Sequence, residues 1–509
     1  VSDIVLAGLA ANDPVPNPAY VELNFAQGVS SGDASAYEVL LLGNKTTAGS
    51  AIVDTEVYGP DSLIPMQTEA DVITLFGSGS EVHRMWRRFT KINKDTTLRA
   101  IAVTESAGTA ASATCVLTTT ATANGSVRIW VGDEFVDASV TSGDVIATVG
   151  AAMAAAINSM TAWAVTAAFV TATLTITAKQ KGLRGNDIRY QIAGTPGIGT
   201  TFSTGATDTA LAGGATADSN AAALTAILPD RYYYIVSAAS DATQVGALLT
   251  QVNSQALATT GIRQRVFTAS TDTLANAITF ATGLNGARAE CVWHKSADWT
   301  PAELAANHAA IMSALEVKPN PRTNYCNFGQ RSADQTFWVV PPQRLTSARP
   351  TRSDIKSALN NGLSPIGVIK KTASTYLSNR ITTRSLNGSQ PDYRIRPAHK
   401  VTICDFFCDD LVAVLTTRFG SKKMGDDVPQ GTPPLSSDFV TPDRMRGAIN
   451  GVIGQYDSNG LWQPGGAARM KLTMDVRRGI APTTRMGIRI NAEPVDNFEQ
   501  GAVQVNQIA

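Results

Sequence analysis

Tyr232-Tyr233-Tyr234-Ile235-Val236-Ser237, followed by Asp241 and by Val245, Leu248, Leu249 and Val252, is the stretch on which the fold turns. The first six residues, aromatic and β-branched, read as a strand. Asp241 suits the cap of a helix, the four apolar residues recur at helical spacing, and Gly261 marks the stop. Working outward, Val266-Phe267 and Cys291-Val292-Trp293 repeat the strand signal, with a helix near 272–283 between them. Thr300-Pro301-Ala302-Glu303 is a capping box with proline at the first helical position, and it opens a helix to about Leu315. Upstream, Val39-Leu40-Leu41-Leu42-Gly43 is a continuous apolar run, which suits a strand buried on both faces. Strands alternating with helices predict an α/β fold, a mostly parallel sheet covered by helices.

Residues 106–216 differ, since Ala and Thr supply 45 of those 111 positions. Val127–Val131 and Thr171–Ala178 alternate as strands do, and Ala151–Ala168 reads as a surface helix and then a strand. Trp130, Phe135, Trp163 and Phe169 give this segment core material, so it reads as an inserted β-rich domain rather than a linker. In the C-terminal third, Ile403–Phe419 has helical apolar spacing with Gly420 as a left-handed stop, and Thr441-Pro442-Asp443 starts another helix. Met470–Val476, Met486–Ile490 and Ala502–Val505 read as strands. Prolines 14, 16 and 18 keep the N-terminal stretch extended, ahead of the alternating Tyr20–Phe25.

The chain has 509 residues, 44% hydrophobic and 17% charged, which allows a sizeable core and argues against global disorder. Its 42 basic and 42 acidic residues cancel, which weighs against a nucleic-acid partner. The charges are divided, however. Residues 1–300 hold 17 Lys+Arg against 25 Asp+Glu, and residues 301–509 hold 25 against 17. Such a chain can attract copies of itself. Residues 318–423 are the most basic stretch, with 17 Lys+Arg and 6 Asp+Glu. No secretory leader or membrane span of about 18 apolar residues is visible. Five cysteines at irregular spacing make a poor disulfide framework, and Cys404 and Cys408 read as buried thiols. A reducing cytoplasm is the expected folding compartment.

Catalytic chemistry is hard to find. There is no nucleophile elbow, because Gly77-Ser78-Gly79-Ser80 has the wrong spacing. Gly43-Asn44-Lys45-Thr46 lacks the Gly-Lys pair of a phosphate loop. The four histidines stand singly, so neither a metal site nor a cofactor is expected. Asp409 and Asp410 point about 100° apart on a helix and do not converge on one substrate. Asp426-Asp427 reads as a solvated or ion-paired turn. An enzyme is therefore not expected. The strand–helix alternation leaves an α/β hydrolase-like enzyme as one alternative, and the Ala/Thr-rich segment leaves a phage adhesin or tube component as another.

Five stretches in order resemble the tail sheath proteins of contractile bacteriophages, in the Mu-like branch. They are Pro18-Ala19-Tyr20-Val21-Glu22, Thr74–Met85 with its Leu75-Phe76-Gly77-Ser78-Gly79-Ser80 core, Gly182-Leu183-Arg184-Gly185-Asn186-Asp187-Ile188, Leu211-Ala212-Gly213-Gly214-Ala215, and Thr417–Asp427. In the last, Gly420 stands where the family usually has Pro, and Met424 where it usually has Leu.

The resemblance implies a multi-domain α/β subunit. It has an N-terminal arm (1–25), an α/β sheath domain (26–105 and 217–345), an inserted outward-facing β-rich domain (106–216), an α+β tube-proximal domain (346–495) and a C-terminal arm (496–509). It implies homo-oligomers as six-fold rings stacked around a tail tube, with baseplate and tail terminator proteins as further partners. It also implies contraction that drives the tube through the host envelope, assembly in the host cytoplasm, a place in the virion tail, and neither nucleic-acid binding nor membrane insertion. Arms would pass strands to neighbours through Tyr20, Val21, Glu22 and Leu23 and through Val503, Gln504, Val505 and Asn506. Asp410, Arg418, Lys422 and Lys423 would make charged contacts with tube or neighbour.

Overall fold

The structure, a computed structural model, describes residues 38–228, 230–257, 259–316, 344–368, 375–392, 396–429, 435–479 and 485–495. Both expected arms, with Tyr20, Val21, Glu22, Leu23 and Val503, Gln504, Val505, Asn506, lie outside the described residues, as does Cys326.

The chain opens with β1 (Glu38–Asn44), β2 (Val57–Tyr58), α1 (Glu69–Phe76), α2 (Glu81–Thr90) and β3 (Thr97–Val103). It then builds β4 (Ala110–Val116), β5 (Gly125–Val131), β6 (Glu134–Val140), α3 (Ile146–Ser159), β7 (Val165–Val170), β8 (Thr173–Lys181), a short 3-10 turn at Leu183–Asp187, β9 (Arg189–Gly194) and β10 (Thr209–Ala210). It returns through α4 (Ala221–Ala226) to β11 (Tyr234–Ser237), α5 (Ala242–Gln255), β12 (Arg265–Ser270), α6 (Leu274–Leu284), β13 (Ala289–Trp293) and α7 (Pro301–Glu316). After α8 (Arg352–Asn360), β14 (Ser364–Val368) and β15 (Thr375–Leu377) come α9 (Ala398–Phe419), α10 (Pro442–Ser458), α11 (Gly466–Thr473) and the hairpin of β16 (Asp475–Arg478) and β17 (Met486–Arg489).

The large sheet has the order β15-β14-β13-β12-β11-β1-β3-β2. Its six inner strands run parallel, and β15 and β2 close the edges antiparallel. Both faces are buried, and alternate residues serve opposite cores. Val39, Leu41 and Val236 pack under α1, α2 and α7. Leu40, Leu42 and Ile235 pack under α4, α5 and α6. The chain winds from β1 to β3 in one direction and from β11 to β14 in the other. The carboxyl ends of β1 and β11 therefore form the switch point where open α/β sheets hold ligands.

The segment from β4 to β10 has its own core, around Ile129, Met153, Ile157, Trp163, Leu174 and Ile192. It leaves and rejoins the large sheet at adjacent points, where Thr104 bridges Ser219 and the Ser106 N–H donates to Asp218 at 2.7 Å. A further core joins α9, α10, α11 and the hairpin, around Phe407, Ile449, Ile453, Trp462 and Met470.

Several expectations need correction. Helix α9 starts at Ala398 rather than near Ile403, and Gly420 is right-handed at φ −57° rather than a left-handed stop. Residues 470–473 end α11, and the strand begins only at Asp475. Of the four aromatics assigned to the inserted core, Trp163 is fully buried there, Phe169 packs at its margin and Phe135 is exposed. Trp130 faces outward from that core and carries the Arg344 guanidinium 5.0 Å over its ring.

Ile157→Ala and Ile453→Ala should each cost about 2–5 kcal/mol. Hydrogen exchange should show each loss confined to the amides of its own core. A loss shared by both segments would mean that the cores are coupled.

Candidate functional site at the carboxyl end of the sheet

The switch-point crevice is filled by the chain itself. The turn Leu183–Asp187 reaches from the inserted segment to the ends of β1 and β11. Arg184 Nη1 lies 2.6 Å from Glu81 Oε2, and its Nε lies 3.0 Å from Asp218 Oδ2. The same Glu81 oxygen accepts from the backbone N–H of Asn44, the last residue of β1, at 3.0 Å. Beside it, Asn186 behaves like a peptide group toward Gly214. It donates to the Gly214 carbonyl at 3.0 Å and accepts from the Gly214 N–H at 2.9 Å.

The α1–α2 connection forms the other wall. Ser80 caps α2 by accepting from the His83 N–H, and His83 Nδ1 accepts from the Gly79 N–H, each at 3.0 Å. His83 Nε2 lies 3.0 Å from Glu69, yet burial holds its pKa below the usual histidine range. Gly79 sits at φ +77°, and a Cβ there would lie 2.1 Å from the Trp163 carbonyl oxygen. Only glycine allows that approach. Ser78 Oγ donates to the Thr161 carbonyl at 2.9 Å, and Lys179 Nζ donates to the Ser78 carbonyl at 3.2 Å. Burial lowers Lys179 to about 8.

Helix α2 then presents three arginines along the seam between inserted segment and sheet. Arg84 and Arg88 meet Glu303 at 3.2 and 3.1 Å, Arg88 also meets Asp133, and Arg87 meets Glu134 at 3.1 Å. Glu134 accepts from Trp163 Nε1 at 2.8 Å. Burial alone would raise Glu303, but Arg88 and Arg84 outweigh it and hold the carboxyl at about 2. Arg344 clasps Asp298 and Asp208 further along.

A second joint fastens α9 to the sheet. Thr402, Asp405 and Asp409 lie on one helix face. Arg288 grips Asp405 with two bonds of 2.7 Å, both side chains being buried. Arg263 meets Asp409 at 2.7 Å, and Arg231 meets its other oxygen. Arg265 donates to Thr402 and lies 3.1 Å from Glu290, which Arg380 and His308 also hold. Burial works to raise Glu290, but the Arg380 charge and these hydrogen bonds bring it far below the usual carboxylate range.

Asp409 and Asp410 diverge as expected, since Asp410 accepts instead from Tyr456 Oη at 2.6 Å. Arg418, Lys422 and Lys423 are exposed around the C-terminal end of α9, and Lys422 Nζ donates to the Ser437 carbonyl at 2.9 Å. Asp426 is exposed and pairs with Arg478 at 3.0 Å. The described cysteines are buried free thiols, with Cys408 pushed up to about 12 by burial. Among the described residues no His, Cys, Asp or Glu group could hold a metal ion, and no helix is long and apolar enough to cross a membrane. Sequence reading passed over Arg184 and the set Arg263, Arg265, Arg288. The available signal was Asp405 and Asp409 at i,i+4 on a helix with arginines at the feet of neighbouring strands.

No family model matches the chain. The Mu-like prophage FluMu tail sheath protein of Haemophilus influenzae is 26% identical over 230 residues, 45% of this chain and 46% of that protein. The chain is similar to a Mu-like tail sheath protein. The match spans less than half of that relative's length. Two solved sheath tail proteins are each 13% identical. The one from Listeria innocua covers 93% of this chain and 95% of its own at a TM-score of 0.46. The one from Desulfitobacterium hafniense covers 94% and 97% at 0.48. Three of the sheath-like stretches, 74–85, 182–188 and 211–215, meet in space around Arg184 and Asn186. Their residues bond to one another within the chain.

Asp405→Ala should cost about 3–5 kcal/mol, because it strands the buried Arg288 charge. Denaturant unfolding checks this, and a loss below about 1 kcal/mol would mean that the pair does not fasten α9. Glu303 contributes stability that is full above the ordinary glutamate range and is lost as pH falls toward about 2. Glu303→Gln should therefore flatten the acid limb of a melting-temperature profile. An unchanged limb would contradict the seam.

Proposed function

We propose that the chain is a structural subunit of a contractile phage tail sheath, in the virion tail, with other copies of itself as its principal partners. The similarity to a Mu-like prophage tail sheath protein carries this reading. The self-filled crevice at the switch point supports it, because the place where an α/β enzyme would hold substrate is occupied by the chain's own ion-paired turn. On this reading, rings of six stack around a tail tube, contraction drives the tube through the host envelope, and assembly takes place in the host cytoplasm with baseplate and terminator proteins. Residues 1–25 and 496–509 act as strand-donating arms, 106–216 face outward, and 346–495 lie near the tube. Arg418, Lys422 and Lys423 meet the tube or a neighbour from the exposed end of α9, while Asp410 contributes from its place against Tyr456.

Two ion-paired joints suit a subunit that transmits force. They fasten the inserted segment and α9 to one sheet, so applied torque falls on contacts between subunits. Contacts made by exposed charges are screened by salt and can break and re-form.

Electron microscopy of the purified full chain should show tubes or stacked rings. Deleting 1–18 or 496–509 should leave a folded subunit that does not polymerise. Raising salt should dissolve polymers before any domain melts. Truncated chains that polymerise normally would overturn the role of the arms, and a full chain that never polymerises would overturn the reading.

A further inference from the structure

The seat of the turn Leu183–Asp187 carries more negative charge than its one guanidinium can neutralise. Arg184 faces Glu81 from α2, Asp218 from the returning segment and Asp241 from the loop after β11. Asp187, on the same turn, faces Glu81 and also Asp272 from the loop after β12, and it hydrogen-bonds to Ser240. The strands packed against the turn are β4, which has no charged side chain, and β8, which brings Lys179 and Lys181. Lys179 is directed at the Ser78 and Thr161 carbonyl oxygens, and Lys181 is exposed.

The other carboxylates are engaged. Glu81 and Asp218 share Arg184, Asp241 caps α5 through the Gln244 N–H at 2.9 Å, and Asp272 accepts from Asn276 at 2.8 Å. Asp187 is the one left to be neutralised by a proton. We propose that the turn is a proton-controlled latch, seated in the crevice when Asp187 is protonated and loosened when Asp187 is ionised.

Burial, then the charges of Asp272 and Glu81, push Asp187 up to about 7 against the pull of Arg184 and Ser240. A raised carboxyl contributes stability that is full below the ordinary aspartate range and is lost as pH rises through about 7. Asp298, elsewhere on the same seam, moves in the same sense. Burial raises it to about 6, with Asp208 adding and Arg344 opposing. Two groups work in the opposite sense. His83 gains as pH rises toward the ordinary histidine range, and Lys179 gains above about 8. The pH profile of the whole protein therefore mixes both signs, and the latch must be read from a difference between variants.

The test is hydrogen exchange of the full chain at pH 5.5 and 8, corrected for intrinsic rates, with β1 as the internal control. In the wild type, protection of residues 183–188 should fall by about tenfold or more at the higher pH while β1 stays protected. Asp187→Asn, neutral at both pH values, should hold its protection within about twofold. Asp272→Asn keeps Asp187 but removes its nearest repulsive charge, so the midpoint of the loss should move to lower pH. An Asp187→Asn variant that keeps the wild-type drop would overturn the latch, as would a wild type with no drop. Should Asp187→Asn fail to fold, the Asp272→Asn midpoint decides alone, and an unmoved midpoint overturns the proposal.

Discussion

One guanidinium organises the centre of this molecule. Arg184 reaches from the inserted segment into the place where a parallel sheet reverses its winding, and it pairs there with Glu81 and Asp218. All three side chains are largely shielded from water, so the pair is screened far less than a surface bridge. Removing either sign would leave a buried charge without a partner, the costly case for ionic contacts. The close approach of Gly79 to Trp163 and the Asn186–Gly214 exchange are geometrically possible only with the turn so placed. The position of the inserted segment relative to the sheet follows from this contact.

The same economy of partners governs the second joint. Arginines at the beginnings of β12 and β13 meet carboxylates on α9, so the sheet supplies the positive charge and the C-terminal helix the negative. This reverses the sign expected from regional sums, in which residues up to 300 are acidic and later ones basic. Net charge per region describes long-range attraction. Individual joints depend on which side chains are pointed inward.

The alternation of Val39–Gly43, Tyr232–Ser237 and the later strands with capped helices made the parallel sheet readable, because burial on both faces leaves apolar runs that few other elements share. The caps at Asp241, Thr300 and Thr441 were readable because their chemistry is local. What escaped was non-local. Nothing in Gly182–Ile188 announces that its arginine crosses to α2, since the partner is 103 residues away. Resemblance picked out the same stretches without saying that they touch. The Met470–Val476 reading failed because short alternation cannot distinguish a strand from the end of a helix. Gly420 failed because a glycine after a helix permits a left-handed residue without requiring one.

A double-mutant cycle between Glu81 and Arg184 measures the central contact directly. Glu81→Gln, Arg184→Met and the double variant would be compared by denaturant unfolding or by local hydrogen exchange. A coupling of about 1.5 kcal/mol or more is expected for a close buried charge pair, within the range of about 0.5–3 kcal/mol seen for interacting residues. A coupling below about 0.5 kcal/mol, the level at which independent sites simply add, would mean that the turn is not held in the crevice by this pair.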